Sequence, residues 1–389
     1  MATALINTQS ALDPVIADLN KKDRIALDLE FDKNYYRFGF NLCLVQIYDG
    51  TDCYLIDPLS EEIDISTLFP VFENSGIEKV TFAFGEDIRL LHSLGCFPKN
   101  IYDLDITTSL LNYPPGSLTK LINDVLNVDT GKSSQTSNWY KRPLTDQQKH
   151  YAAQDVLHLL DLKEILAKEA EDKNITSWIE EENLAWDLMD YSDVDNNEVI
   201  KEKDKNDLTE VEWYIYKNLI EYRESLAKEH NKPGFKIIRK QFLSDVAQNT
   251  RVLMRFERDR GINPKLKTEE VKQTILDIAT QARTEAEKQG LSDTETAFKS
   301  PTEEEKQIYR KQKSLIDKLK FSFFNPIKKK ITEDYGEETA IFLFSNRIIA
   351  EIVAGSFDEI EAYKLDLLKK YSEELNLDIQ EYTDLVNGD

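Results

Sequence analysis

A chain of 389 residues, 41% hydrophobic and 31% charged, is long enough for two or three domains with real cores, which excludes a disordered or fibrous protein. Three scattered cysteines (Cys43, Cys53 and Cys96) exclude a disulfide framework or a zinc site and suit a reducing cytoplasm. The net charge of −23 disfavours long-range attraction to a polyanion, so any nucleic-acid contact must come from a local patch or from bound cations.

The N-terminal stretch has no basic region followed by an apolar one, and no run approaches ~18 apolar residues. Neither a signal peptide nor a membrane span is expected. The first clear element is Arg24–Phe31 (RIALDLEF), whose alternation predicts a strand with Asp28 and Glu30 on one face. Two acids in so apolar a run suggest a site; the alternative is an edge strand guarded by charge. LCLVQIYDG and DCYLID follow as two more strands, joined across Asp49-Gly50, a strong hairpin signal. The first three strands are therefore expected to be antiparallel neighbours.

Residues 66–74 predict a short helix and Lys79–Phe84 a fourth strand. Glu86-Asp87-Ile88 opens a helix that Gly95 ends, which places Asp87 at a strand-to-helix corner. Its ordinary role there is an acid favoured by the helix dipole. Ile101–Leu111 repeats the strand–helix step with Asp103 at the junction, and Leu118–Leu126 is another short helix. Thr130-Gly131-Lys132-Ser133 lacks the glycine of a phosphate loop, because Leu126 stands five residues before Gly131; no nucleotide cofactor is expected. Pro143 breaks the chain, and Thr145 with Gln148 forms a capping box that starts a helix. Tyr151 and Asp155 then lie one turn apart on one face, while Ala152, Val156, Leu159, Leu160 and Leu162 supply the buried side.

Residues 171–210 are acidic and partly helical, with Trp178 and Trp186 as anchors, and their second half is expected to be a linker. From about 211 to 290 the pattern is helical. Between Lys228 and Lys272 stand twelve basic and six acidic residues, a local reversal of the chain's charge. Residues 291–302 predict a second linker, and 303–389 a further small helical unit.

Four carboxylates without His or Cys ligands suit a pair of hard divalent cations, ~3.5–4 Å apart, as used in phosphoryl displacement. Asp28-Leu29-Glu30-Phe31, AFGEDIRLLHSLG around Asp87, and LTDQQKHYAAQDVLHLL resemble the three motifs of the DEDD superfamily of 3′→5′ exonucleases, in its tyrosine version. KSSQTSNWYKRPL resembles that superfamily's approach to the third motif, and the chain as a whole is similar to the ribonuclease D family. The resemblance implies an α/β ribonuclease H-like exonuclease domain over 1–170. All-α bundles like the helicase-and-RNase-D C-terminal (HRDC) domain are implied over 211–290 and, more divergently, over 303–389.

The resemblance further implies that Asp28, Glu30, Asp87 and Asp155 hold two Mg²⁺ or Mn²⁺ ions, with Tyr151 orienting the attacking water. An unperturbed phenol titrates near ~10, too high for a base. The partner implied is RNA with a free 3′ end, with tRNA precursors as the class. DNA with the same site and an inactive binding scaffold are the alternatives. Leu29 and Phe31 are candidates to wedge the terminal base, and Lys236, Arg239 and Lys240 to contact phosphates. The sequence departs from the family at Leu29, where a small residue is usual, at Phe82, where His or Asn is common, and at Asn138, which replaces an Asp.

Overall fold

The computed structural model describes residues 3–130, 137–192, 199–354 and 360–377. The expectations attached to Gly131, Lys132 and Ser133, and to the start of the approach to the third motif, lie outside them.

The chain opens with two elements that the sequence analysis did not anticipate, strand β1 (Thr3–Ile6) and helix α1 (Gln9–Leu19). Then come β2 (Arg24–Lys33), β3 (Phe40–Tyr48) and β4 (Cys53–Ile56), followed by α2 (Phe69–Glu73), β5 (Glu78–Thr81) and α3 (Gly85–Ser93). β6 (Ile101–Asp103), α4 (Leu104–Leu110) and α5 (Leu118–Leu126) lead to α6 (Asp146–Leu157) and α7 (Leu159–Asp172). The strands form one mixed sheet in the order β1-β4-β3-β2-β5-β6. β3 and β4 are antiparallel, with Tyr48 opposite Cys53; β5 runs parallel to both β2 and β6. β2, which carries Asp28 and Glu30, is thus an inner strand rather than an edge.

Local chemistry explains the connections. At the β3–β4 turn Gly50 takes φ 90, and the Asp49 carboxylate accepts the Thr51 and Asp52 amides, each at 2.8 Å. α6 begins with the expected capping box: Thr145 Oγ1 accepts the Gln148 amide at 3.2 Å, and Gln148 Oε1 accepts the Thr145 amide at 3.1 Å.

Two compact units emerge. One contains residues 1–30, 42–193 and 303–389, and the other contains 31–41 and 194–302. This corrects two expectations. Residues 171–210 are not simply a linker, because α8 (Thr176–Leu188) packs in the first unit, where Ile179 is buried. Residues 303–389 do not stand apart either. The second unit holds α9 (Glu210–Glu229), α10 (Lys240–Gln248) and α11 (Glu269–Lys288) around Ile215, Leu219, Phe242, Leu243 and Ile275.

The chain then returns to the first unit with α12 (Glu303–Leu319), α13 (Asn325–Tyr335), α14 (Glu337–Leu343), α15 (Asn346–Ala354) and α16 (Ala362–Glu374). Phe323, Phe324, Ile331, Phe344 and Tyr371 join one core with Leu104, Leu162 and Leu166. The physical reason is that the apolar runs around Ile341–Phe344 and Ile348–Ile352 are too short to close a core alone. α14 docks on the end of α4 instead, with the Glu338 amide on Asn112 Oδ1 at 2.9 Å and Thr339 Oγ1 on the Leu110 carbonyl at 3.1 Å.

Gly336 marks that contact, since it has φ 102 and a Cβ there would meet the Asn112 side chain at 2.1–2.3 Å. Gly336→Ala is expected to destabilise the first unit by roughly 2–4 kcal/mol. Thermal unfolding and limited proteolysis check it: the midpoint falls by several degrees and cleavage appears in 303–389. An unchanged midpoint would mean that these helices fold independently.

Candidate active site

Asp28 and Glu30 project from the same face of inner strand β2, two residues apart, as strand periodicity requires. Asp155 comes to them from the last turn of α6. One carboxylate oxygen from each of the three lies within 4.8 Å of the others. Asp28 and Asp155 keep partial exposure, whereas Glu30 is 9% and Asp87 7% exposed. Asp87, in the first turn of α3, is close enough that its charge raises the pKa of both Asp28 and Glu30. Its Oδ1 is buried and has no hydrogen-bond partner.

Electrostatics measure the crowding. Burial, then Asp155, Asp87 and Glu30, hold the Asp28 carboxyl well above the ordinary carboxylate range. Burial, with Asp155 and Asp87, does the same to Glu30. Burial lifts Asp87 too, with the backbone amides of Asp87 and Leu29 opposing it. Asp155 is pushed up to about 7 by burial, a rise moderated by the hydroxyl that Tyr151 donates to it. The Tyr151 ring in turn lies 6.2 Å from that of Trp139 at 34°. A dry, oxygen-only set with one orphaned carboxylate oxygen fits hard divalent cations.

Three groups support the acids; Gln46 and Arg142 were not anticipated, and Asp103 was noted only for its place at the strand–helix junction. Gln46 of β3 is fully buried and donates Nε2 to Asp28 Oδ2 at 3.3 Å, leaving its Oε1 unpaired. A polar residue at an inward position of LCLVQIY was the available signal. Asp103 is 2% exposed and accepts the amides of Ala83 at 2.8 Å and Phe84 at 2.9 Å. Ala83 has φ 54, an unfavourable conformation for a residue with a Cβ, so Asp103 fixes the strained corner from which α3 presents Asp87. The Asp103 amide donates to Asn183 Oδ1 of α8 at 2.7 Å. Finally, Arg142 forks onto Asp57 with two 2.6 Å bonds, and donates to the Trp139 and Cys43 carbonyls at 2.7 and 2.8 Å, anchoring the approach to α6.

The remaining expected residues are placed as follows. Leu29 is 4% exposed on the opposite face of β2, packed in the core and turned away from the acids, which corrects its expected role as a wedge. Phe31 is half-buried edge-on against Phe40, 5.2 Å between ring centres. Lys236 and Lys240 are engaged with Tyr35 and Asp204 within the second unit. Phe82 lines a cavity of about 130 Å³ with Asp105, Tyr113 and Lys120. Asn138 keeps a turn, its Oδ1 accepting the Tyr140 amide at 3.1 Å.

Residues 3–171 match the family model described as 3′-5′ exonuclease. The matched segment contains all six strands of the mixed sheet. The chain is also similar to ribonuclease D. It is 29% identical to the Bartonella henselae ribonuclease D over 245 residues, covering 62% of this chain and 60% of that one. With the Desulfotalea psychrophila ribonuclease D it shares 30% over 250 residues, covering 62% and 66%. The chain therefore spans somewhat less than two thirds of the length of these relatives. The crystal structure of Escherichia coli RNase D, described as an exoribonuclease involved in structured RNA processing, superposes with a TM-score of 0.65 at 21% identity. That match covers 96% of this chain and 99% of the other, and it establishes the fold. Among the described residues no helix is long and apolar enough to cross a membrane.

Two outcomes follow from the site's geometry. Asp103→Ala leaves the Ala83 and Phe84 amides without their acceptor and is expected to weaken Mn²⁺ binding by about 10- to 100-fold, with Asn183→Ala weaker in the same direction. Calorimetric titration measures both, and undiminished affinity in Asp103→Ala would remove the positioning role. The second outcome concerns pH. The folded, cation-free chain binds protons that the unfolded chain releases, because Asp155 titrates near 7 when folded against 3.8 when unperturbed. The cluster's contribution to stability without cations is therefore full at low pH and is lost as pH rises from the ordinary carboxylate range through about 7. Unfolding midpoints in chelator should decline from about pH 5 to 8, and Mn²⁺ should reverse the decline while releasing protons. A midpoint that climbs over this interval contradicts the crowded cluster.

Proposed function

We propose that this chain is a divalent-cation-dependent 3′→5′ exoribonuclease that releases nucleotides from RNA 3′ ends, with structured RNAs such as tRNA precursors as its substrate class. The observation that carries this reading is the convergence of Asp28, Glu30 and Asp155 within 4.8 Å, beside the unpaired Oδ1 of Asp87. The ribonuclease D relatives support RNA as the substrate.

Asp28, Glu30, Asp87 and Asp155 would hold two Mg²⁺ or Mn²⁺ ions. Such cations, when bound, neutralise phosphate charge and lower the pKa of water. Asp28 is central to the set because all three other acids act on it. Gln46 holds Asp28 from below, and the Tyr151 hydroxyl holds Asp155. Because that hydroxyl donates its proton to Asp155, its oxygen is left to accept from a water aimed at the last phosphodiester. Tyr151 therefore orients rather than deprotonates.

The second unit, a bundle over about 211–290, is proposed to be HRDC-like and to contact nucleic acid. Three buried cysteines that form no disulfide among the described residues support work in a reducing compartment such as the cytoplasm.

Degradation of matched 5′-labelled RNA and DNA, with Mg²⁺ or Mn²⁺ and with chelator, tests the proposal. Asp155→Asn is expected to slow nucleotide release roughly 100- to 1,000-fold and Tyr151→Phe roughly 10- to 100-fold. Full activity of Asp155→Asn would remove the site assignment. DNA degraded as fast as RNA would make the enzyme a DNA exonuclease, and calorimetric silence with Mn²⁺ would make it a scaffold.

A further inference from the structure

The second unit contains a surface with a different chemistry from the carboxylate cluster. The loop between β2 and β3 belongs to this unit and presents Tyr35, 60% exposed, beside Phe235, 52% exposed; their ring centres are 6.4 Å apart. Tyr36 stacks edge-on against Tyr35 at 4.9 Å. Lys236 organises the group. Its ammonium lies 5.1 Å from the centre of Tyr35, 5.4 Å from Tyr36 and 5.5 Å from Phe235, and it donates to the Tyr35 carbonyl at 2.6 Å.

The exposed rings are thus held in place rather than hanging free. A bonded loop supports them too: Asp32, 6% exposed, accepts the amides of Tyr35, Tyr36 and Arg37 at 2.9–3.1 Å.

Phe235 borders a cavity of about 660 Å³, within the ~300–1,000 Å³ typical of ligand sites. Its walls carry Lys33, Lys201 and Arg239, besides Arg223, which is paired with Glu224, and Lys240, which is paired with Asp204. Arg223 is 4% exposed and bonded to Glu224 at 2.6 Å. Gly234 permits that floor, because a Cβ would meet Glu224 Oε1 at 2.4 Å and Arg223 Nε at 2.8 Å. Arg239 makes no side-chain hydrogen bond or ion pair among the described residues. Exposed, fixed rings beside a cation-lined cleft recognise a strand whose bases are unstacked and whose backbone is anionic. A duplex hides its base faces, and a protein partner would not need so lopsided a charge.

We propose that the Tyr35–Phe235 platform and the adjoining cleft form a binding site for unpaired RNA, with bases on the two rings and phosphates at Arg239, Lys33 and Lys201. The site is distinct from the carboxylate cluster. Only its preference for RNA over DNA rests on the function proposed above.

Equilibrium binding of the full chain in chelator, where no hydrolysis occurs, separates this proposal from that one. The probes are labelled single-stranded oligoadenylate, the same sequence as DNA, and a blunt RNA duplex. Tyr35→Ser with Phe235→Ser is expected to weaken single-strand binding about 10-fold or more without changing its salt dependence. Arg239→Glu should lower the salt slope by about one phosphate contact. Unfolding midpoints equal to the parent's show that the variants fold. Crosslinking of 4-thiouridine RNA to the unaltered chain should label peptides containing Tyr35 or Phe235. Single-strand affinity unchanged in the double variant, an equal loss for the duplex, or crosslinks confined to other peptides would overturn the proposal and leave the surface to a protein partner.

Discussion

Four carboxylates meet where there is too little water to ionise them all. At an effective dielectric of ~20, two unit charges 4.8 Å apart repel by about 3–4 kcal/mol. Burial adds to this, and it is the largest cause of the raised pKa at Asp28, Glu30, Asp87 and Asp155 alike. Protons relieve the strain at low pH, and divalent cations do so at neutral pH. The fold therefore holds its acids in a state that favours a hard cation, because binding removes a repulsion that already exists.

Holding mutually repelling groups together requires the scaffold to resist them, and each acid has an independent restraint. Inner strand β2 holds Asp28 and Glu30 through two neighbouring strands, with Gln46 reaching across from β3. The corner at Ala83 would relax out of its φ 54 conformation without the Asp103 carboxylate. Asp103 is tied to Asn183 of α8, and the preceding residue of that helix, Glu182, bonds Tyr363 and pairs with Lys364 at 2.6 Å. Helix α16, distant in sequence from every motif, thus reaches the corner that presents Asp87 through two adjacent residues of α8. Residues 303–389, in which the sequence suggested no chemistry, support the site mechanically.

What was legible from sequence followed physical period. The alternation in RIALDLEF put Asp28 and Glu30 on one face, Asp49-Gly50 gave the turn between β3 and β4, and Thr145/Gln148 marked the start of α6; each of these depends on neighbours in the chain. β1 and α1 were missed because TALI is short and Pro14 lies inside the helix, which weakens the helical signal. Leu29 was a candidate wedge for the terminal base, although the alternation that paired the acids already pointed it into the core. Asp103 and Arg142 act through partners 19–20 and 85–99 residues away, and no local pattern encodes such pairs. The placement of 303–389 was illegible for the same reason: a helix reports an apolar face, not the surface that will cover it.

The net charge and the basic segment of the second unit also need to be reconciled. Of the twelve cations between Lys228 and Lys272, five are engaged within the unit. Lys240 pairs with Asp204, Arg255 with Asp245, Lys272 with Glu269, and Lys236 and Lys267 donate to carbonyls. The local excess of positive charge therefore overstates what can face a phosphate. In a chain of net charge −23, long-range steering of RNA is weak or repulsive, and attraction must arise at contact distance. Short-range contact suits both proposals: cations that the carboxylates would hold, and bases that would stack on the fixed rings. Such a protein should engage single strands with modest salt dependence, because stacking releases few counterions and five of these twelve cations are already engaged.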